Sequence, residues 1–364
     1  MISGGKMWVC TSRIMGLFWH QGGQKSRPGL DKGTTLLYDL AMRADLIWNP
    51  MAGQRDAQQP LREAIEVLEA GGWHVRLREA AHPGDCAGLA EQAVAEGAQV
   101  VIAAGGDGTV NAVANALAGS EAALGVLPVG TGNVWAKQLG LPAWSLPMRH
   151  PLREVAHGLL EASVRRVDLG RANGRYFLLW TGIGIDAEVA HEVEPLVELR
   201  HRLGNVLYAV TGLTVALNFA GTHSTVVLDG HLERRRVVLM IVANVQLYGG
   251  GLFQLAPAAY LDDGYLDVFL FRGQGLAATV RHFVSVLTRY HMRDPQMVYY
   301  RARTIDIYTD KPMAVQVDGE AAGQTPLHVE VVPQALKVLV PPSASPGLFV
   351  QPAGAVELRG QPCA

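Results

Sequence analysis

Cysteine is scarce. The 364 residues hold only Cys10, Cys86 and Cys363. Their scatter shows no metal-ligand or disulfide spacing, which excludes a disulfide scaffold and fits a reducing compartment. Long apolar runs are also missing. No stretch reaches the roughly 18 uncharged apolar residues that a spanning helix needs. The nearest, Val206 to Phe219, is too short, so no transmembrane segment is expected. Charge of one sign is not in excess either. A formal net charge of −2 argues against bulk nucleic-acid binding. What remains is a chain with 49% apolar and 18% charged residues. That is a globular composition, long enough for a large core and for two domains.

The ends differ from the middle. Residues 1–43 form a poorly defined leader. Its apolar pieces, Met7 to Cys10 and Ile14 to Trp19, are divided by Thr11, Ser12 and Arg13, which breaks the core a signal peptide would need. Past Pro341-Pro342 the Pro, Gly and Ser content rises, and residues 342–364 read as a flexible tail.

Between these ends, strands and helices alternate at first. Ala44 to Trp48 predicts a strand ended by Asn49-Pro50. Leu61, Ile65 and Leu68 recur at helical spacing up to Gly71-Gly72. Trp73 to Leu77 predicts a second strand, and Asp85 opens a helix that Gly97 closes. Gln99 to Ala104 is a buried parallel strand by its β-branched run, and Ala123 to Leu127 is the next. This order implies a parallel sheet covered on both faces, an α/β domain over residues 44–163. From residue 164 to 341 the texture changes to short strands with polar turns, which predicts an antiparallel, sandwich-like β domain. Two apolar helices, Leu203 to Leu217 and Leu276 to Leu287, interrupt it.

The chain is organised around Gly105-Gly106-Asp107-Gly108-Thr109. A glycine turn between a strand and a helix leaves backbone N–H groups pointing outward at the carboxyl edge of the sheet, where they favour a phosphate. No Gly-Lys-Ser/Thr follows, so this is not a Walker loop. Asp107 would repel a phosphate unless a cation or a proton transfer lies between them, and a nucleotide with Mg²⁺ resolves that. A second turn, Gly130-Thr131-Gly132-Asn133, follows the next strand and lies on the same edge. Asp318-Gly319-Glu320 reads as a tight hairpin turn, which Asp-Gly favours. The Asp262 to Asp267 loop reads either as a polar turn or as a hard-cation site.

These segments, in their order, resemble the diacylglycerol kinase catalytic family of soluble lipid kinases, which includes sphingosine and ceramide kinases. The likeness runs over about residues 44–341. It rests on Asn49-Pro50 with Gly53, Gly105 to Thr109 with Asn111, and Leu127 to Asn133. It continues through Gly182 to Asp186, Gly249 to Gly251, Pro257 with Asp262 to Asp267, and Asp318 to Glu320. The resemblance implies a nucleotide domain of the NAD kinase and phosphofructokinase type followed by a β-rich lipid domain whose last strands return to the first. It implies ATP held by Asn49, Gly105, Gly106, Asp107, Gly108, Thr109, Asn111, Gly130 and Thr131. Asp107 would act through a catalytic Mg²⁺, and Glu320 would accept the proton of the lipid hydroxyl. A structural Mg²⁺ would sit on Asp263 with the carbonyls of Tyr260 and Tyr265.

The sequence departs from the family pattern at Ala112, where Glu is usual, and at Val134-Trp135, where Asp-Phe is usual. Lys137 fills a basic position found in many relatives, and Ala80 stands near a nucleotide-contacting Thr of some. These changes leave the phosphate loops intact and alter the acceptor pocket. The expected partner is a lipid at a membrane surface, reached by a cytoplasmic, peripherally associated enzyme, and the reading leaves room for a homodimer. The basic clusters at Arg200 to Arg202 and at Arg281 to Arg293 read as solvated ends of core helices in preference to anionic-lipid contacts. A kinase of a soluble acceptor such as NAD, or a sensor without catalysis, are the rival readings.

Overall fold

A computed structural model describes residues 42–53, 57–142, 151–193 and 221–350. The leader, most of the tail, and the expected helix at Leu203 to Leu217 with its basic start lie outside the described residues. Among the described residues no helix is long and apolar enough to cross a membrane.

The first half alternates as the sequence predicts. Strand β1 (Met42–Trp48) leads to helix α1 (Gln58–Ala70), β2 (Trp73–Glu79), α2 (Asp85–Ala95), β3 (Val100–Gly105), α3 (Asp107–Leu117) and β4 (Ala123–Pro128). Short helix α4 (Val134–Gln138) and α5 (Pro151–Leu160) follow. The strands lie parallel in the order β4-β3-β1-β2. Every residue of β3 and β4 is buried, which is what a continuous apolar run does when helices cover both faces. The register matters for function. Trp48 pairs with Ala104, and Gly105 with Pro128. Three strands therefore end level, and the loops after them leave the same edge of the sheet.

The second half is antiparallel. It contains β5 (Ser163–Ala172), β6 (Arg175–Phe177), β7 (Trp180–Gly184), α6 (Ile185–Val193), β8 (Thr222–Leu228), β9 (His231–Ala243), β10 (Leu247–Tyr248) and β11 (Phe253–Gln254). Then come β12 (Leu266–Arg272), α7 (Gly275–Leu287), β13 (Met297–Ala302), β14 (Thr304–Thr309), β15 (Ala314–Val317), β16 (Glu320–Gln324) and β17 (Leu327–Val340). Strand β12 feeds two cores. Leu266, Val268 and Leu270 pack with Val242, Ile305 and Val329, while Phe269 and Phe271 face the core shared with the first half.

Strand β17 joins the halves. It pairs with β14 and β5, passes a bulge between Val332 and Leu336, and then runs parallel to β4. At that junction Lys337, 3% exposed, places its ammonium 2.6 Å from Glu121. Arg166, its partner across β5, reaches the same carboxylate at 2.8 Å. The apolar run from Tyr176 to Trp180 is split between two strands. β6 ends at Phe177 and β7 begins at Trp180. The break occurs where the N–H groups of Leu178, Leu179 and Trp180 turn to a single carboxylate, described below.

Candidate active site

Three loops meet at the carboxyl edge of β1, β3 and β4. Asn49 begins the first. Its backbone N–H donates to Ala104, its amide nitrogen donates to the Thr109 hydroxyl at 3.1 Å, and its side-chain oxygen accepts from Met51. Gly106 is the extended residue before α3, so the amides of the first helical turn open toward solvent. The second glycine loop lies directly against the first. The amides of Val129 and Gly130 both donate to Gly105 O, at 3.1 and 3.2 Å. A Cβ on Gly130 would stand 2.4 Å from the Cα of Gly106, so only glycine lets these backbones touch. Gly53, at φ +85°, closes the group, since a Cβ there would stand 2.1 Å from Val129 O.

The expected nucleotide-binding residues do not all face the same way once folded. Thr131 is exposed at the tip of the second loop. Thr109 and Asn111 are buried, at 5% and 4% exposure. Thr109 supports the loop from beneath. Asn111 accepts from Asn115 at 2.9 Å, and Asn115 in turn holds the backbone of Tyr176. Asn111 thus acts on the hairpin of β5 and β6 rather than on the open side of the cradle.

Asp107 joins the two loops. Its Oδ1 accepts from the N–H of Trp135 at 3.2 Å, at the start of α4. Burial pushes its carboxyl above the usual range, against the pull of the Trp135, Val134 and Asn133 amides and of the Lys137 ammonium. Burial likewise pushes the Lys137 ammonium down, opposed by Asp107. Lys137 donates to Gly250 O at 2.7 Å, which ties α4 to the turn between β10 and β11. A buried carboxylate held against its own preference for the neutral form suits a hard divalent ion shared with phosphate oxygens.

The second half contributes Glu320. Asp318 and Gly319 both have positive φ, at +50° and +85°, and make the tight turn between β15 and β16. That turn presents Glu320, whose Oε1 lies 3.3 Å from where a Cβ on Gly108 would be. The carboxylate therefore hangs over the first glycine loop. Arg175 of β6 forms an ion pair with it.

Two carboxylates, buried Asp318 and half-buried Asp186, fix that turn. Asp318 accepts from the amides of Leu178, Leu179 and Trp180 at 2.8, 2.9 and 2.9 Å. Burial still pushes its carboxyl up to about 7. Asp186 accepts from the Tyr248 hydroxyl and from the Gln316 amide, each at 2.5 Å. Gln316 then accepts from Gly319 N at 2.7 Å. Arg175, Tyr248 and Gln316 carry no motif signal. Asp186 had one, as the end of the Gly182 to Asp186 segment, but no role. Only the pairing of Gln316 with Gly182 across β15 and β7 brings them together.

The loop assigned to a structural cation has a different arrangement. The Asp263 carboxylate forms an ion pair with Arg301 and accepts from Tyr265 N. The guanidinium groups of Arg301 and Arg303 lie 5.0 and 4.8 Å from the Tyr265 ring centre. Among the described residues no three His, Cys, Asp or Glu gather around a point. The Arg301 guanidinium neutralises Asp263 in this arrangement, and the carboxylates of Asp168, Asp262 and Asp267 lie within electrostatic reach of it.

Comparison with known proteins agrees with this geometry. The family described as diacylglycerol kinase catalytic domain matches residues 43–172. The YegS C-terminal NAD kinase beta sandwich-like domain matches residues 181–340. A diacylglycerol kinase of Bacillus subtilis is 30% identical over 286 residues, covering 78% of this chain and 91% of that protein. One from Staphylococcus carnosus is 27% identical, covering 83% and 96%. A crystal structure of a diacylglycerol kinase from Bacillus anthracis has the same fold, with TM-score 0.63 at 23% identity, covering 84% of this chain and 98% of that one. With two consecutive domain matches and a relative aligned over nine-tenths of its length, this chain belongs to the diacylglycerol kinase family.

Proposed function

We propose that this chain transfers the γ-phosphate of ATP to a hydroxyl of a diacylglycerol-like or sphingoid-like lipid. The observation that carries the reading is Glu320 standing over Gly108, a carboxylate of the β-rich half against the amide loop of the nucleotide half. The amides of Gly106 to Thr109 and of Thr131 hold the phosphates, and Gly130, whose amide is spent on Gly105 O, keeps the two loops in contact. Asn49 acts through Thr109. Glu320 takes the proton as the lipid oxygen attacks the γ-phosphorus. The bond from phosphorus to the β-bridging oxygen breaks, and ADP leaves. Mg²⁺ is the cation that fits beside Asp107, where it would neutralise charge on the phosphates.

The enzyme works as a peripheral protein on the cytoplasmic side of a membrane, where ATP and its lipid meet. A soluble acceptor such as NAD is disfavoured by the apolar surface described below. The test is labelled ATP with a total lipid extract. A labelled phospholipid is expected from the wild type, and none from Asp107→Asn. Label on NAD with no label on any lipid would overturn the acceptor, and full activity of Asp107→Asn would overturn the site.

A further inference from the structure

Helix α7 is packed inside out. The side chains it buries are His282 and Ser285, both 4% exposed. His282 hydrogen-bonds Arg272 O at 2.7 Å, and neighbouring Arg281 forms a two-pronged ion pair with buried Asp294. Val286 packs toward the core, while the other large apolar residues of the last three turns point outward. Val280, Phe283, Val284 and Leu287 are 46 to 57% exposed, and they recur at intervals of three and four on one face. Tyr290, 53% exposed, and Met292, 37% exposed, extend the patch past the helix end. Leu252, 62% exposed, extends it the other way, through Phe253 whose ring meets Phe283 edge-on at 5.9 Å.

Helices in a soluble fold turn such a face to the core, so among the described residues this one lacks its partner. Charge indicates what the partner is. From Gly275 to Arg293 there is no Asp or Glu, while Arg281, Arg289 and Arg293 are all basic, and the last two are exposed. An apolar face with a basic, acid-free rim suits an interface of acyl chains beneath anionic headgroups. The patch also leads to the site. Leu252 and Phe253 belong to the β10–β11 turn, whose Gly250 O receives Lys137 and whose Tyr248 donates to Asp186.

We infer that the outer face of α7, with Leu252, Tyr290 and Met292, is the surface by which the protein docks on an anionic phospholipid bilayer. The inference rests on the lipid-kinase reading for its purpose, but its test does not need turnover. Without ATP, the wild type should co-sediment with phosphatidylcholine vesicles containing phosphatidylglycerol, and less with phosphatidylcholine alone. Phe283→Asp with Leu287→Asp changes only exposed positions, so the fold and the melting temperature should hold. Partitioning should fall by about tenfold or more, since two apolar anchors are lost. Arg289→Gln with Arg293→Gln should remove the preference for anionic vesicles and its salt dependence. Turnover of a water-soluble, short-chain lipid should survive in both.

Equal partitioning of wild type and the aspartate variant would overturn the proposal. So would a wild type that binds no vesicles, or a wild-type dimer that the aspartate variant converts to a monomer, which would mean that a second copy covers this face. Loss of short-chain turnover in the wild type would count against the kinase reading alone.

Discussion

Glu320 faces Gly108 closely enough that a single methyl group would disturb it. The 3.3 Å clearance is tighter than a carbon beside a carboxylate oxygen prefers, and the side chain that must yield is the flexible one. Gly108→Ala should therefore fold normally, because the position is helical and exposed. Its cost should appear in kcat, which we expect to fall by about 10- to 100-fold, as a displaced catalytic group allows. KM for ATP should move much less. Steady-state kinetics beside a thermal melt checks both; a kcat at the wild-type level would place the base elsewhere.

Removing the base itself should be costlier. Glu320→Gln keeps the shape and loses the proton acceptor, so kcat should fall by about 10²- to 10⁴-fold. ATP binding, read by calorimetry or by a nucleotide-induced rise in melting temperature, should persist. A loss of ATP affinity matching the loss of rate would show that Glu320 binds rather than accepts a proton.

Gln316 positions the turn that carries Glu320. It is 1% exposed and spans Asp186 and Gly319. Gln316→Ala leaves the Gly319 amide without its partner, at a cost of about 1–3 kcal/mol, and leaves Asp186 with Tyr248 alone. The melting temperature should drop. The diagnostic readout is kinetic, since kcat should fall more than KM rises, and Gln316→Glu should not rescue it because its carboxylate would face that of Asp186. Equal loss of stability and no change in kcat would leave Gln316 a purely structural residue.

Asp318 predicts a pH signature. Burial raises its folded pKa from 3.8 to about 7. A raised folded pKa means that the folded chain binds the proton more tightly than the unfolded chain. The stability from this group is thus full below pH 3.8 and is lost as pH rises through about 7. Asp318→Asn removes that titration. Its melting temperature, measured relative to wild type, should become more favourable step by step as pH rises across that window. A constant offset between the two at every pH would show that Asp318 does not titrate in the folded chain.

Much of the nucleotide half is legible in the chain because its signals are local. A β-branched run such as Val100 to Ala104, a glycine turn and a helical repeat each lie within a dozen residues, and the alternation of such units implies the parallel sheet. The β-rich half is less legible. Trp180 to Gly184 is a central strand, but the Gly182 to Asp186 run is legible in the chain as a motif and not as a strand. Gly182 is required because Asp186 and Gln316 lie over it, a fact settled by a strand more than a hundred residues away. Pro333 interrupts the apolar pattern of the last strand. The structure absorbs that proline in a bulge, with Gln334 at φ +49°. Helix α7 was found where expected but facing the other way. Periodicity shows that a helix has two faces; it does not show which one meets the protein.

The position of β17 has a consequence for synthesis. The nucleotide half starts at residue 42, yet its sheet is closed on the β4 side by Lys337 and Val338. A ribosome releases the ATP loops some two hundred residues before it releases the strand that braces them. A nascent chain, or one truncated before Leu327, carries the cradle with β4 unflanked and with β5 stripped of its longest partner. The strand that braces β4 is therefore made after Glu320, and a chain truncated before Leu327 keeps Glu320 but lacks that brace.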